Sequence, residues 1–220
     1  MSLLAIFDHD GVLVDSYDLH LESWLELGRR EGLPITPGLI RETFGMTNPS
    51  ILRRACGAGL DDAAIARFGA AKEACYRDLA RGRLALMAGV HELLDALTAA
   101  GVALAIGSSG PRENLLLTVR ECDLEGRFAA IASLEDVARG KPDPEVFLVA
   151  AERVGIVPRR AVVFEDAPVG IRAAKAAGML AVGVGTTNPL DALVAAGADE
   201  VVPDLAGYPV PELLARLAGA

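Results

Sequence analysis

The sequence predicts an α/β fold, a doubly wound, Rossmann-like parallel sheet with an α-helical cap subdomain inserted after the first strand. Three observations predict it. Short apolar runs alternate with amphipathic helical patterns. The runs are almost uninterruptedly apolar, as strands covered on both faces must be. The first run is separated from the second by a long stretch that reads as helix.

Taken in order, the strands are Leu3 to Phe7, "VALAIG" (102–107), "FAAIA" (128–132), "AVVFE" (161–165) and "LAVGVG" (180–185). Helical patterns lie at 89–101, 111–122, 143–155 and 168–179, several closing on glycine, which tolerates the left-handed turn that ends a helix. Asp143 reads as the cap of a helix opened by Pro144. Residues 17–80 read as helix throughout. Leu21, Trp24, Leu25 and Gly28 form an i, i+3, i+4, i+7 stripe, and Asn48-Pro49 reads as a cap followed by a first-turn proline. The expected division is a core of 1–14 and 83–220 and a cap of 15–82.

Composition narrows the function. The 220 residues carry a formal charge of −9 with no offsetting basic stripe, which opposes binding to a phosphate backbone and makes nucleic acid an unexpected partner. Cys56, Cys75 and Cys122 are odd in number and scattered, so reduced thiols in a cytoplasmic protein are expected. The five-residue "LLAIF" runs straight into acids and is too short for a signal-peptide core or a membrane span. The leading Met-Ser-Leu reads as outside the chemistry.

In an open parallel sheet, ligands bind beyond the carboxyl ends of the strands. Those ends hold Asp8-His9-Asp10-Gly11, Ser108-Ser109 and Glu165-Asp166, with Lys141 in "RGKPDPE" following the third strand. So many acids on one rim need a counter-ion, and oxygen ligands without His or Cys suit Mg²⁺. With Mg²⁺ and Lys141 the rim would gain a positive field able to hold a phosphate dianion. Strand alternation would turn Asp8 and Asp10 toward the site and His9 away, as a buried or second-layer residue. Each residue alone has a plainer reading. Ser109 and Gly110 would shape the turn before Pro111, and Lys141 would be a solvated surface lysine.

The four strand-end segments, "DHDGVLVDS", Ser108, Lys141 in "GKPDP" and "FEDAPVGIRAAKAAGM", resemble in order the motifs of the haloacid dehalogenase superfamily. The resemblance covers nearly the whole chain and falls in the helical-capped group with phosphoglycolate phosphatase, sugar-phosphate phosphatases and β-phosphoglucomutase. It implies that Asp8 is the nucleophile, Asp10 the general acid and base, Ser108 a phosphoryl donor and Lys141 a charge neutraliser. It also implies Mg²⁺ held by Asp8, the Asp10 main-chain carbonyl and Asp166, with Glu165 a further ligand or an outer acceptor. Gly11 would turn beneath the phosphate, and Ser109 joins it as a substrate-binding candidate.

In that group the cap selects substrate, which makes His20, Trp24, Thr47 and Asn48, with Phe44, the cap candidates. Trp24 reads first as cap core on the Leu21/Leu25 stripe, and His20 also reads as a packed or capping residue. Relatives that hold a second phosphate carry a Lys just before the glycine of "FGMTNPS" and an Arg three residues after it. Here Phe44 and Asn48 stand there, and Arg53 and Arg54 farther on read as solvated. The expectation is an Mg²⁺-dependent phosphatase of sugar or polyol phosphates, ahead of a phosphohexomutase. A haloacid dehalogenase, which has no need of Asp10, and a phospho-accepting signalling domain are weaker alternatives. The expected partner is a small phosphate monoester, with no membrane and a monomeric or weakly dimeric state.

Overall fold

The computed structural model describes residues 2–218 and divides into two compact units. One holds the residues up to Asp15 and those from Ala85 on; the other is Ser16–Leu84. The larger unit is built on a sheet of six parallel strands, β1 Leu3–Phe7, β2 Val102–Gly107, β3 Ala130–Ala132, β4 Ala161–Glu165, β5 Leu180–Val184 and β6 Glu200–Val202, in the order β3-β2-β1-β4-β5-β6. The chain winds outward from β1 to β3 and then returns to β4, so the topological switch lies between β1 and β4.

Burial explains why the first, second, fourth and fifth strands are legible. β4 is buried at every position, and β1 at all but its first. Two differences have physical reasons. β3 is three residues rather than five, because Phe128 and Ala129 lead into the sheet before its ladder begins. β6 was not expected: three half-buried residues at an edge carry neither length nor an apolar run.

The helices that follow the sheet's strands, or precede them, are α5 Val90–Ala99, α6 Arg112–Glu121, α7 Glu145–Val154, α8 Pro168–Ala176, α9 Leu190–Ala195 and α10 Val210–Ala218. The first four match expected patterns with trimmed ends; α9 and α10 were not foreseen. α7 begins one residue later than read, at Glu145, and Asp143 serves it by accepting from the Glu145 N–H at 3.1 Å. Val146, Phe147, Ala150 and Ala151 of α7 pack with Ile171, Ala173 and Ala174 of α8 against Leu4, Ile6, Val163 and Ala181 of the sheet.

The smaller unit is helical: α1 Tyr17–Glu31, α2 Pro37–Thr43, α3 Asn48–Cys56 and α4 Asp62–Ala80. Its apolar core joins Trp24, Leu27, Ile40, Ile51, Leu52, Ile65 and Phe68. The buried face of α1 is centred on His20, Ser23, Trp24 and Leu27, leaving Leu21 and Leu25 half-buried at its margin, a shift from the expected stripe. At α3 the cap position belongs to Thr47, while Asn48 is already helical and sends its amide elsewhere. No helix among the described residues is long and apolar enough to cross a membrane.

Candidate active site

The stretch after β1 is a tight turn. His9 O accepts from the N–H groups of Leu13 and Val14, and Gly11 N donates to Val14 O at 2.9 Å. Gly11 sits at φ +77°, and a Cβ there would come within 2.2 Å of Asp166 Oδ2 and 2.6 Å of Thr187 Oγ1. Both the backbone conformation and the close approach require glycine. Beneath the turn, Phe7 pairs in register with Phe164 and their rings stack at 4.9 Å, so the residues that follow them, Asp8 and Glu165, leave adjacent strands from a fixed base.

At this switch point the expected carboxylates converge. Asp8, Glu165 and Asp166 are buried, and each offers an oxygen within 4.8 Å of the others. Lys141 is no solvated lysine: its side chain is 3% exposed, and Nζ donates to Asp8 Oδ1 at 2.7 Å and Glu165 Oε1 at 2.6 Å. Burial works against its charge, but the two carboxylates outweigh it and raise its pKa above the usual lysine range. Glu165 Oε2 also accepts from Ala167 N at 2.7 Å. Its side chain lies so close to α8 that a Cβ on Gly170 would stand 1.7 Å from Oε1.

Ser108 is buried, its N–H on Ala132 O and its Oγ accepting from Gly110 N at 3.0 Å. Ser109 is half-buried in the same turn. Asp10 stands apart from the buried trio, with its side chain 21% exposed and Oδ1 3.0 Å from His9 Nδ1. His9 is buried as expected, and its ring hydrogen bond is the one between Nε2 and Thr118 Oγ1 at 2.7 Å.

A divalent cation fits the trio on the chemistry of the donors. Among the described residues, Asp166 Oδ2 is a buried oxygen with no hydrogen-bond partner. Burial first, then the neighbouring carboxylates, pushes Asp166 well above the carboxylate range. Burial, which exceeds the opposing pull of Lys141, raises Glu165 to about 7. Three buried acids with one ammonium lack positive charge, and a hard cation would supply it.

The fifth strand adds residues that the sequence reading missed. Thr186 Oγ1 donates to Gly11 O, and Asn188 Nδ2 donates to Asp166 O at 3.0 Å. The same strand-end rule, applied to "GTTNP" after β5, would have found them.

In the helical unit the cap candidates do not form one group. Trp24 packs in the apolar core, and Thr47 Oγ1 pairs with Ser50 Oγ at 2.9 Å. His20 and Asn48 meet in a buried polar cluster. Lys72 Nζ is 2.6 Å from His20 Nδ1 and 2.9 Å from Glu73 Oε1, Asn48 Nδ2 donates to that same oxygen at 2.7 Å, and His20 stacks on Tyr76 at 3.9 Å. Phe44 packs edge-on to Tyr17 and His20. Lys72, Glu73 and Tyr76 were missed, although a lysine four residues from both Phe68 and Tyr76 on a buried helical stripe was a readable signal.

A rim of acids, a hydroxyl and one ammonium at the switch point of a doubly wound sheet places the chain among the α/β proteins that bind their ligand beyond the carboxyl ends of the strands. The chain belongs to the haloacid dehalogenase-like hydrolases, whose family model matches residues 5–184. It is 36% identical to validoxylamine A 7'-phosphate phosphatase of Streptomyces hygroscopicus subsp. limoneus, over 93% of this chain and 95% of that one. It is 33% identical to the phosphorylated carbohydrates phosphatase of Thermotoga maritima, over 90% and 93%. Among solved structures, CbbY from Rhodobacter sphaeroides in complex with phosphate aligns with TM-score 0.84 and 28% identity, covering 94% of this chain and 96% of that one.

Proposed function

We propose that the chain is a Mg²⁺-dependent phosphatase of small phosphorylated metabolites, sugar or polyol phosphates, acting through an aspartyl-phosphate. The observation that carries the reading is the different surroundings of two acids two residues apart. Asp8 is buried and held by Lys141, as suits a nucleophile, whereas Asp10 is partly exposed and outside the carboxylate trio, as suits an acid and base.

In the first step an Asp8 carboxylate oxygen bonds to phosphorus as the ester P–O bond breaks, and Asp10 gives its proton to the departing alkoxide. In the second, water attacks phosphorus, Asp10 takes the water's proton, and the P–O bond to Asp8 breaks. Lys141 balances the charge on Asp8 and the phosphoryl oxygens, and the Ser108 hydroxyl donates to one of them. A bound Mg²⁺, held by Asp8, Asp166 and the Asp10 carbonyl with Glu165 alongside, would supply Lewis-acid stabilisation of the phosphoryl charge.

Hydrolysis is favoured over mutase activity because positions 44 and 48 give no cation. Phe44 packs on aromatic rings, and Asn48 is bound to Glu73, which also neutralises Lys72. A cytoplasmic setting and a small-molecule partner belong to the same reading.

The test is incubation with Mg²⁺ and a panel of sugar and polyol phosphates. Phosphate release that Asp8→Asn abolishes supports the proposal. Silence across the panel, or chloride release from a 2-haloacid, opposes it.

A further inference from the structure

We infer that Thr186 and Asn188, in the loop that follows β5, are positioning residues for the cation site, clasping the two stretches of backbone that carry its proposed ligands. The inference rests on the reading of Asp8, Asp166 and the Asp10 carbonyl as Mg²⁺ ligands. Thr186 Oγ1 donates to the carbonyl of Gly11, the residue after Asp10, and Asn188 Nδ2 donates to the carbonyl of Asp166 itself at 3.0 Å.

The chemistry fixes the direction of both bonds. Each acceptor is a main-chain carbonyl, which cannot donate, so the Thr186 hydroxyl and the Asn188 amide nitrogen supply the hydrogens. Asn188 Oδ1 turned toward Asp166 O would set two acceptors together, so the amide has one workable orientation.

The loop is a firm base for these contacts. It runs from the end of β5 at Val184 to the start of α9 at Leu190. Gly185 N donates to Val202 O of the edge strand β6 at 2.8 Å, and a Cβ on Gly185 would stand 2.6 Å from Leu190 Cδ2. Between the two donors, Thr187 Oγ1 comes to the same point as the Asp166 carboxylate. The place a Gly11 Cβ would take is 2.6 Å from that hydroxyl and 2.2 Å from Asp166 Oδ2. The loop, the Gly11 turn and the Asp166 carboxylate therefore meet at one spot.

Gly11 and Asp166 lie beyond the ends of β1 and β4, at Phe7 and Glu165, where the strand ladders stop. A donor from a third strand end holds each carbonyl there. Fixing Asp166 O restrains the backbone that aims its carboxylate, and fixing Gly11 O holds the turn that presents the Asp10 carbonyl. Loss of a support one step removed from a metal ligand costs about ten- to a hundredfold in affinity or activity.

Calorimetric titration with Mg²⁺ decides it. Asn188→Leu and Thr186→Val keep nearly the same shape and lose the donor. They should weaken Mg²⁺ binding by about tenfold and about three- to tenfold respectively, with Thr186→Ser within about twofold of the parent. Thr98→Val is the control, because Thr98 Oγ1 donates to Leu94 O in α5, which ends just before β2 begins, at the opposite end of the sheet. It loses the same kind of bond and should leave Mg²⁺ affinity unchanged.

With the best substrate of the panel, the Mg²⁺ concentration giving half the maximal rate should rise by the same factors, while kcat at saturating Mg²⁺ stays within about threefold of the parent. Melting curves identify a variant that fails to fold, and if Asn188→Leu is one, Thr186→Val against Thr186→Ser decides alone. Parent affinity retained in both donor-free variants, or lost equally in Thr98→Val, overturns the inference and leaves the cation site standing. A parent that binds no Mg²⁺ contradicts the cation site, and the clasp with it.

Discussion

Lys141 Nζ stands 2.7 Å from Asp8 Oδ1, a pairing that joins residues 133 positions apart across the switch point of the sheet. The ammonium also binds Glu165 at 2.6 Å, so it serves two carboxylates at once. Lys141→Ala is expected to lower kcat/KM by about a hundredfold or more, as for removal of a preorganised charge at a reacting centre. Lys141→Arg should not restore it, since the planar guanidinium does not fit a point-charge site. Steady-state assays of both variants check this.

Gly170 is set by Glu165 rather than by its own backbone. A methyl group there would overlap the Glu165 carboxylate, displacing the acceptor that holds Lys141. Gly170→Ala should therefore lower the unfolding free energy by about 1–3 kcal/mol and reduce activity, despite its better helix propensity. Denaturant unfolding and the phosphatase assay read the two effects.

The pH dependence follows from the raised acids. Glu165 at about 7 and Asp166 well above its ordinary range bind protons more tightly folded than unfolded. The folded state then loses stability as pH rises from the unfolded carboxylate range, near 4.5, through about 7. Carboxyls held low by arginines, Asp136 and Glu22, contribute above their unfolded pKa and are already ionised across that window. Without divalent cation the melting temperature should fall between about pH 5 and 8. Millimolar Mg²⁺ should flatten that fall by stabilising the charged forms. A profile indifferent to Mg²⁺ opposes a cation site at these carboxylates.

The helical unit carries a buried ion pair whose halves depend on each other. Lys72 is 2% exposed and Glu73 6%, and removing the ammonium alone leaves a buried carboxylate without its countercharge, with the Asn48 amide still donating to it. Lys72→Met should cost about 3–5 kcal/mol, whereas Lys72→Met combined with Glu73→Gln should recover much of it. Thermal or urea unfolding of the two variants makes the comparison.

The sheet's inner strands were legible because burial on both faces leaves an unbroken apolar run, as in "AVVFE". The edge strand β6 and helices α9 and α10 were not, since short elements at a margin lack a periodic signature. The rim residues were readable because they follow those strands directly. Partnerships across the chain were not: nothing local to "FDHDG" shows that His9 meets Thr118, or that Lys141 is buried between two acids. Strand alternation does not reach His9, because β1 ends at Phe7; its burial and its contact with Asp10 both arise where the chain has left the strand and turns.

The central claim, that Asp8 carries the phosphoryl group while Asp10 moves the proton, is tested most directly by rapid-quench mass spectrometry of a single turnover with Mg²⁺ and a substrate from the panel. The account predicts a phosphoryl group on the peptide that contains Asp8, decaying quickly in the parent protein and absent in Asp8→Asn. Phosphate release without any phosphoryl adduct, or release undiminished in Asp8→Asn, would contradict it.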